Sequence, residues 1–301
     1  MSWIVFSILS ALTFALVTVF DKVIIAKHIT NTKVFILAIG ISQTFMGVLV
    51  IPFVINSEYP IIATLIAILA GVICGLYLII MFTIMEFQDV ARLIPVLSTY
   101  PVFVALLAFF FLGESIGMLA WISIVITVLG AGMVSLNPSQ SDNSSSINIK
   151  TTFILLLGSM FFGLSQFLAK TISDEMSVWP QFMLRGYGVG LVCCLYIFIP
   201  SVRSDFMVFM KKPRSIGLFV LSEGLLAFIA ISLMFLALYA GEVYLVSTVM
   251  GTRPLFVFVL SVLLSLPVVR ILSEQVHGKE LSIRISGTAM TVLGVCGVSL
   301  L

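Results

Sequence analysis

The chain has 301 residues, 61% of them hydrophobic and only 9% charged, with mean hydropathy +1.26 and a formal net charge of +2. So few polar side chains cannot cover a water-soluble globule, which excludes a soluble fold and points to a bilayer. The basic residues are too sparse, and too little interleaved with aromatics, for nucleic-acid binding.

In chain order, ten apolar segments appear near Trp3 to Phe20, Val34 to Ile55, Ile61 to Met85, Val90 to Leu112, Ile116 to Leu136, Thr151 to Thr171, Pro180 to Pro200, Ser215 to Leu238, Val243 to Val269 and Leu281 to Leu301. Most of them reach the roughly 20 residues a helix needs to cross the hydrocarbon core. Continuous Leu, Ile and Val runs rather than alternating ones predict an all-α integral membrane protein, not a β-barrel. No basic residue precedes the first run and no Ala-x-Ala site follows it, so it is expected to stay as a helix. Asn137 to Ile149 is rich in Ser and Asn and reads as a flexible linker. It divides the chain into residues 1–136, a linker over 137–150, and residues 151–301. Cys74, Cys193, Cys194 and Cys296 sit in apolar runs without metal-ligand spacing and read as free thiols.

The two halves repeat one phrase. The first copy has Asp89-Val90, then Thr99-Tyr100-Pro101, then Thr127-Val128-Leu129-Gly130; the second has Glu242-Val243, then Thr252-Arg253-Pro254, then Thr291-Val292-Leu293-Gly294. Phe14 with Lys22 likewise matches Phe162 with Lys170 at equal spacing. Because each half holds an odd number of spans, the second copy enters the membrane from the opposite side. The expected architecture is therefore ten transmembrane helices in two inverted five-helix repeats, the geometry used for alternating access.

Pro101-Val-Phe-Val-Ala-Leu-Leu-Ala108, Leu112-Gly113-Glu114 and the closing Gly-rich helix, on top of ten helices in two halves, resemble the EamA family of the drug/metabolite transporter superfamily. The resemblance covers nearly the whole chain. It implies a small-molecule permease or exporter with a central cavity, but not a substrate. In the second half, Glu274 and Glu280 compete for the place of Glu114.

Charges inside the membrane are costly unless they face a cavity or a partner. Arg253 lies about ten residues into its segment, near the midplane at 1.5 Å per residue, and its repeat equivalent is Tyr100. Pro254 and Pro101 follow them and cannot donate to the preceding turn, so they are the expected helix-breaking residues. Arg253, Tyr100, Thr99, Thr252, Gln43, Gln166 and Arg185 are the candidate substrate-binding residues. Glu223 is the expected partner of Arg253 and the candidate for proton coupling. For Lys22, Lys170 and Arg185, the alternative is snorkelling to the headgroups. The recurring glycines read as close-packing sites between helices, and Trp121 and Trp179 as interfacial anchors.

No Walker loop, metal constellation or activated nucleophile occurs, so the chain reads as neither an enzyme nor a cofactor protein. Most basic residues, Lys211, Lys212 and Arg214 among them, fall on the face opposite the termini. The positive-inside rule then puts both termini outside, in a plasma membrane. The expected function is secondary-active transport of a small polar or anionic metabolite, by a monomer or homodimer whose partners are its substrate and the lipid bilayer. The alternative is a non-transporting scaffold or sensor on the same fold, in which Arg253 only locks helices.

Overall fold

The structure, a computed structural model, describes residues 2–29, 31–54, 59–85, 96–135, 149–265 and 279–299. Asp89, Glu274 and linker residues 137–148 lie outside the described residues. Those described form helices and their connections. Before the linker come α1 (Ser2–His28), α2 (Thr32–Val50), α3 (Ile61–Met85), α4 (Tyr100–Leu107, continued by a π turn over Ala108–Leu112) and α5 (Met118–Ser135). After it come α6 (Ile149–Thr171), α7 (Val178–Cys193), α8 (Pro200–Phe209), α9 (Pro213–Phe219), α10 (Ala227–Ala240), α11 (Val243–Met250), α12 (Arg253–Ser265) and α13 (Lys279–Ser299).

Among the described residues, seven helical stretches are long and apolar enough to cross a membrane, and three shorter apolar helices cover Tyr100–Leu112, Met118–Met133 and Ile285–Gly297. Large apolar side chains point outward, Ile61 being 79% exposed and Phe111 74%. Such an exterior fits lipid and not water. A helix suits this setting because it satisfies its backbone internally. The starts follow local chemistry: the Asn31 side chain accepts from Lys33 N at 3.0 Å, and prolines occupy the first turns of α4, α8 and α9. Gly113, with φ +66°, ends the π turn after α4 in a conformation that costs other residues more.

Three elements depart from the expected segments. The first helix runs on from Phe20 to His28, because Val23-Ile24-Ile25 continue the apolar run and Asp21 is buried rather than interfacial. The eighth segment contains a π stretch over Val220–Leu226 between α9 and α10, with Glu223 inside it. A short helix, α8, fills the connection before it.

The halves interleave. α1 packs on α10, α11 and α12, while α6 packs on α3 and α4; α7 lies against α2 and α3, and α5 against α13. Apolar helices gain little from one another in lipid by hydrophobicity, so contact depends on close backbone approach. Glycine permits it here. A Cβ added to Gly130 would come within 2.5 Å of Thr291 N, and one on Gly294 within 2.8 Å of Ser123 O. Thr127 and Thr291, both fully buried, each donate to the carbonyl four residues back at 2.8 Å. The repeated Thr-Val-Leu-Gly phrase thus packs against its own copy. Gly188 meets the backbone of Ile68, and Gly186 that of Gln43, which holds α7 against α3 and α2.

Candidate functional site

Two apolar clusters, one including Phe182, Phe235 and Tyr244 and the other Phe35, Phe82 and Phe219, leave cavities between them, with Phe162 packed against both. Two adjoining cavities offer about 90 and about 70 Å³ of space for water centres. A single water needs roughly 10–15 Å³ on such a measure, so each holds several waters or part of one small polar molecule. Phe14, Asp21, Tyr77, Phe162 and Arg253 line both.

Arg253 opens α12 directly after the Gly251-Thr252 turn. Its Nε donates to Thr18 Oγ1 at 3.0 Å, its Nη2 reaches the same oxygen, and the guanidinium lies 5.3 Å from the centre of the Phe14 ring. The Thr18 hydroxyl donates back to Phe14 O at 2.8 Å, which turns its lone pairs toward the cation. Phe14 and Thr18 share one face of α1 because they are four residues apart.

Tyr100 opens α4 in the equivalent way. Its ring meets Phe162 edge-on, 4.8 Å between centres, its hydroxyl donates to Ser247 O at 3.1 Å, and the Gln166 amide faces that hydroxyl. Phe162 and Gln166 on α6 repeat the spacing of Phe14 and Thr18 on α1. The two broken helices cross where they break, a Cβ on Gly251 falling 3.2 Å from Pro101 Cγ.

Glu223 and Asp21 are both buried at 6% exposure and line the smaller cavity together with Arg253. Ser222 Oγ donates to Asp21 Oδ1 at 2.9 Å, and Ser42 Oγ to the Glu223 carbonyl at 2.7 Å. A π turn displaces the backbone carbonyls from regular pairing and often accompanies a functional residue. Arg253 acts on both acids through space.

Of the residues singled out from sequence, Arg253, Tyr100 and Pro254 line the larger cavity, and Gln43, Arg185, Glu223 and Arg253 the smaller. Arg185 is buried, its Nη2 2.9 Å from Cys74 Sγ and its guanidinium 5.8 Å from the Phe235 ring centre, so it does not snorkel. Thr99, Thr252, Gln166 and Pro101 stand behind the lining. The Thr99 hydroxyl pairs with Val96 O at 2.7 Å and Ser159 Oγ at 3.0 Å, and Thr252 with Val249 O at 2.7 Å, so these threonines close the broken turns. Gln166 is buried with neither amide atom in a well-formed hydrogen bond.

Asp21 is the residue that sequence reasoning missed. The signal was its spacing: Phe14, Thr18 and Asp21 lie at i, i+4 and i+7, one helix face, with an apolar run continuing past it.

At one end of the bundle, Lys170 Nζ donates to Leu238 O at 3.0 Å and Gly241 O at 2.8 Å, so it caps α10 instead of snorkelling. Glu114 sits near the Val243 amide at the start of α11. Burial pushes its carboxyl above the ordinary range, Glu242 adds to the push, and Lys170 opposes it. Trp179 stacks between Phe53 and Phe228, at 5.9 and 6.3 Å.

No curated protein matches the chain. Among solved structures, one described as "Crystal structure of protein" superposes with a TM-score of 0.67 over 99% of this chain and 95% of that one, at 14% identity. At that identity the likeness concerns the fold alone. The model of the EamA-like transporter family matches residues 1–136. With seven apolar spans among the described residues and that match, the chain is an integral multi-pass membrane protein whose residues 1–136 match the EamA-like transporter family.

Proposed function

We propose that the protein is a secondary-active transporter of a small polar or anionic metabolite. Its ten transmembrane helices form two inverted five-helix repeats that exchange access around the central cavity. The single observation that carries this reading is the meeting of Arg253 and Tyr100, equivalent positions of the two repeated phrases, on one buried cavity between the halves. Arg253 holds the anionic group of the substrate. A guanidinium in a water-poor site gives strong charge-assisted hydrogen bonds to carboxylate or phosphate oxygens, and its protein acceptor here is a neutral hydroxyl, which leaves the positive charge available.

Arg185, Gln43 and Tyr100 supply further polar contacts, while Thr99, Thr252 and Gln166 shape the breaks and Glu223 takes part in proton coupling. Broken helices at mid-membrane leave backbone groups for substrate, and Pro101 and Pro254 set those breaks. The excess of basic residues opposite the termini favours a plasma membrane with both termini outside.

Uptake and counterflow in liposomes with a metabolite panel test the proposal. The expected result is saturable transport of an anionic or polar solute, lost in Arg253→Gln. A variant with full transport of every substrate found would remove Arg253 from the site. Absence of any flux would favour a scaffold.

A further inference from the structure

We propose that the flank of the bundle holds one anionic phospholipid, its phosphate on the turn between α8 and α9 and one acyl chain in the groove between α2 and the π stretch. This site is separate from the central cavity and does not depend on the transport reading. The groove offers about 570 Å³ of space for water centres, far more than the about 90 and about 70 Å³ of the central cavities, and falls within the roughly 300–1,000 Å³ of ligand pockets. Its lining is apolar apart from Ser42, whose hydroxyl already donates to the Glu223 carbonyl at 2.7 Å. A polar metabolite would be buried there without hydrogen bonds, which costs free energy. An alkyl chain has none to lose.

The groove has the length of one leaflet. Its wall on α2 runs from Ala38 to Leu49, about 16 Å at 1.5 Å per residue, against about 15 Å for half the hydrocarbon core. The facing wall runs from Ile216 to Phe228. Aromatic rings mark the two ends. Phe209 and Phe219 meet at 6.0 Å at one, with Phe219 5.9 Å from Phe35 near the start of α2, while Phe228 stacks on Trp179 at the other. The rim faces outward, Phe45 being 60% exposed and Leu225 56%, so a chain enters sideways from the bilayer.

Charge is gathered at the Phe209 and Phe219 end. Met210 and Ile216 both line the groove, and between them stand Lys211, Lys212 and Arg214, all exposed and without an ion pair among the described residues. With Arg203 and a single acid, Asp205, residues 203–214 carry a net charge of +3. Cations clustered beside a membrane span attract anionic headgroups, and the proposed orientation puts this turn at the cytoplasmic leaflet, which is the negative one. A second copy meeting the same face across a two-fold axis would set one basic turn beside another. Lipid is therefore the occupant that the charge favours.

Native mass spectrometry of the full-length protein in detergent, titrated with phosphatidylglycerol or with phosphatidylcholine of identical chains, tests the site. One phosphatidylglycerol should bind at least about 10-fold more tightly than phosphatidylcholine, each cation near the surface contributing roughly fivefold. The triple variant Lys211→Gln, Lys212→Gln, Arg214→Gln should bind the two lipids alike. Gly224→Leu narrows the groove instead: a Cβ there meets only Val220, at 3.5 Å, an ordinary contact that the fold accepts. It should weaken both lipids together, about 10-fold, and keep the preference for the anionic one. Absence of a retained lipid, equal binding of the two headgroups by the wild type, or a preference that survives the triple substitution overturns the headgroup site. Lipid binding untouched by Gly224→Leu removes the chain from the groove, and a lipid-free dimer gives this face to a second copy; either result sinks the proposal.

Discussion

Two corners of the cavity share one design and differ in chemistry. At one, Arg253 lies over Phe14 and bonds Thr18; at the other, Tyr100 lies against Phe162 and faces Gln166. The aromatic platform, the polar residue one turn on and the proline that follows are kept, while the tip has changed from cation to phenol. The contact of Thr127 and Gly130 with Thr291 and Gly294 shows the other outcome, in which both copies keep the same residues and serve as packing alone. The identical Thr127–Gly130 and Thr291–Gly294 hold helices together, while the unlike Arg253 and Tyr100 line a cavity.

The sharpest way to break the contrast is to crowd the symmetric contact. In Gly130→Val the new Cβ meets backbone that cannot rotate away, and overpacking of this kind costs about 1–3 kcal/mol, occasionally more. Thermal unfolding in detergent should show a large loss of stability, whereas Gly117→Ala, with nothing within 4 Å of its Cβ position, should leave the transition unchanged. A tolerated Gly130→Val would mean that α5 and α13 are not in close contact. Arg253→Gln should come next in effect: a charged hydrogen bond is worth about 1.5–3 kcal/mol, so substrate affinity should fall about 10- to 100-fold while the folded fraction is kept. A loss of folding with no change in affinity would make Arg253 a helix lock.

Seven spans were legible among the described residues because their apolar runs continue for the thickness of a bilayer, and the Arg253 and Tyr100 positions because an acid-to-proline spacing recurs. The α1 boundary was not: a charged residue looks like an end from sequence, but Asp21 accepts from Ser222 on the other half, a contact set by tertiary packing some 200 positions away. The π stretch around Glu223 was equally hidden, since its seven residues carry no proline and Gly224 is only a weak breaker. Arg185 was placed inward from the cost of a charge facing lipid, and that physical argument held where periodicity was silent.

Smaller effects sharpen the comparison of corners. Tyr100→Phe keeps the ring on Phe162 and removes one neutral hydrogen bond, worth about 1 kcal/mol. Unfolding should show a modest loss and transport only a few-fold change, well below that of Arg253→Gln. Equal losses at the two corners would mean that the phenol binds substrate as the cation does.

The smallest effect lies outside the cavity, at Glu114, and it separates a cap from a charge. Its carboxyl in the folded chain titrates above the ordinary value of 4.5, through burial first and Glu242 second. The folded state then holds the proton more tightly than the unfolded state, so this group's contribution is full below 4.5 and is lost as pH rises through the raised value. Glu114→Gln keeps an oxygen for the Val243 amide but cannot ionise. The difference in melting temperature, variant minus wild type, should therefore grow as pH climbs from 4 toward 7 and flatten above. A difference that shrinks over that range would show that the Val243 amide and Lys170 hold the ionised form more strongly than burial and Glu242 oppose it.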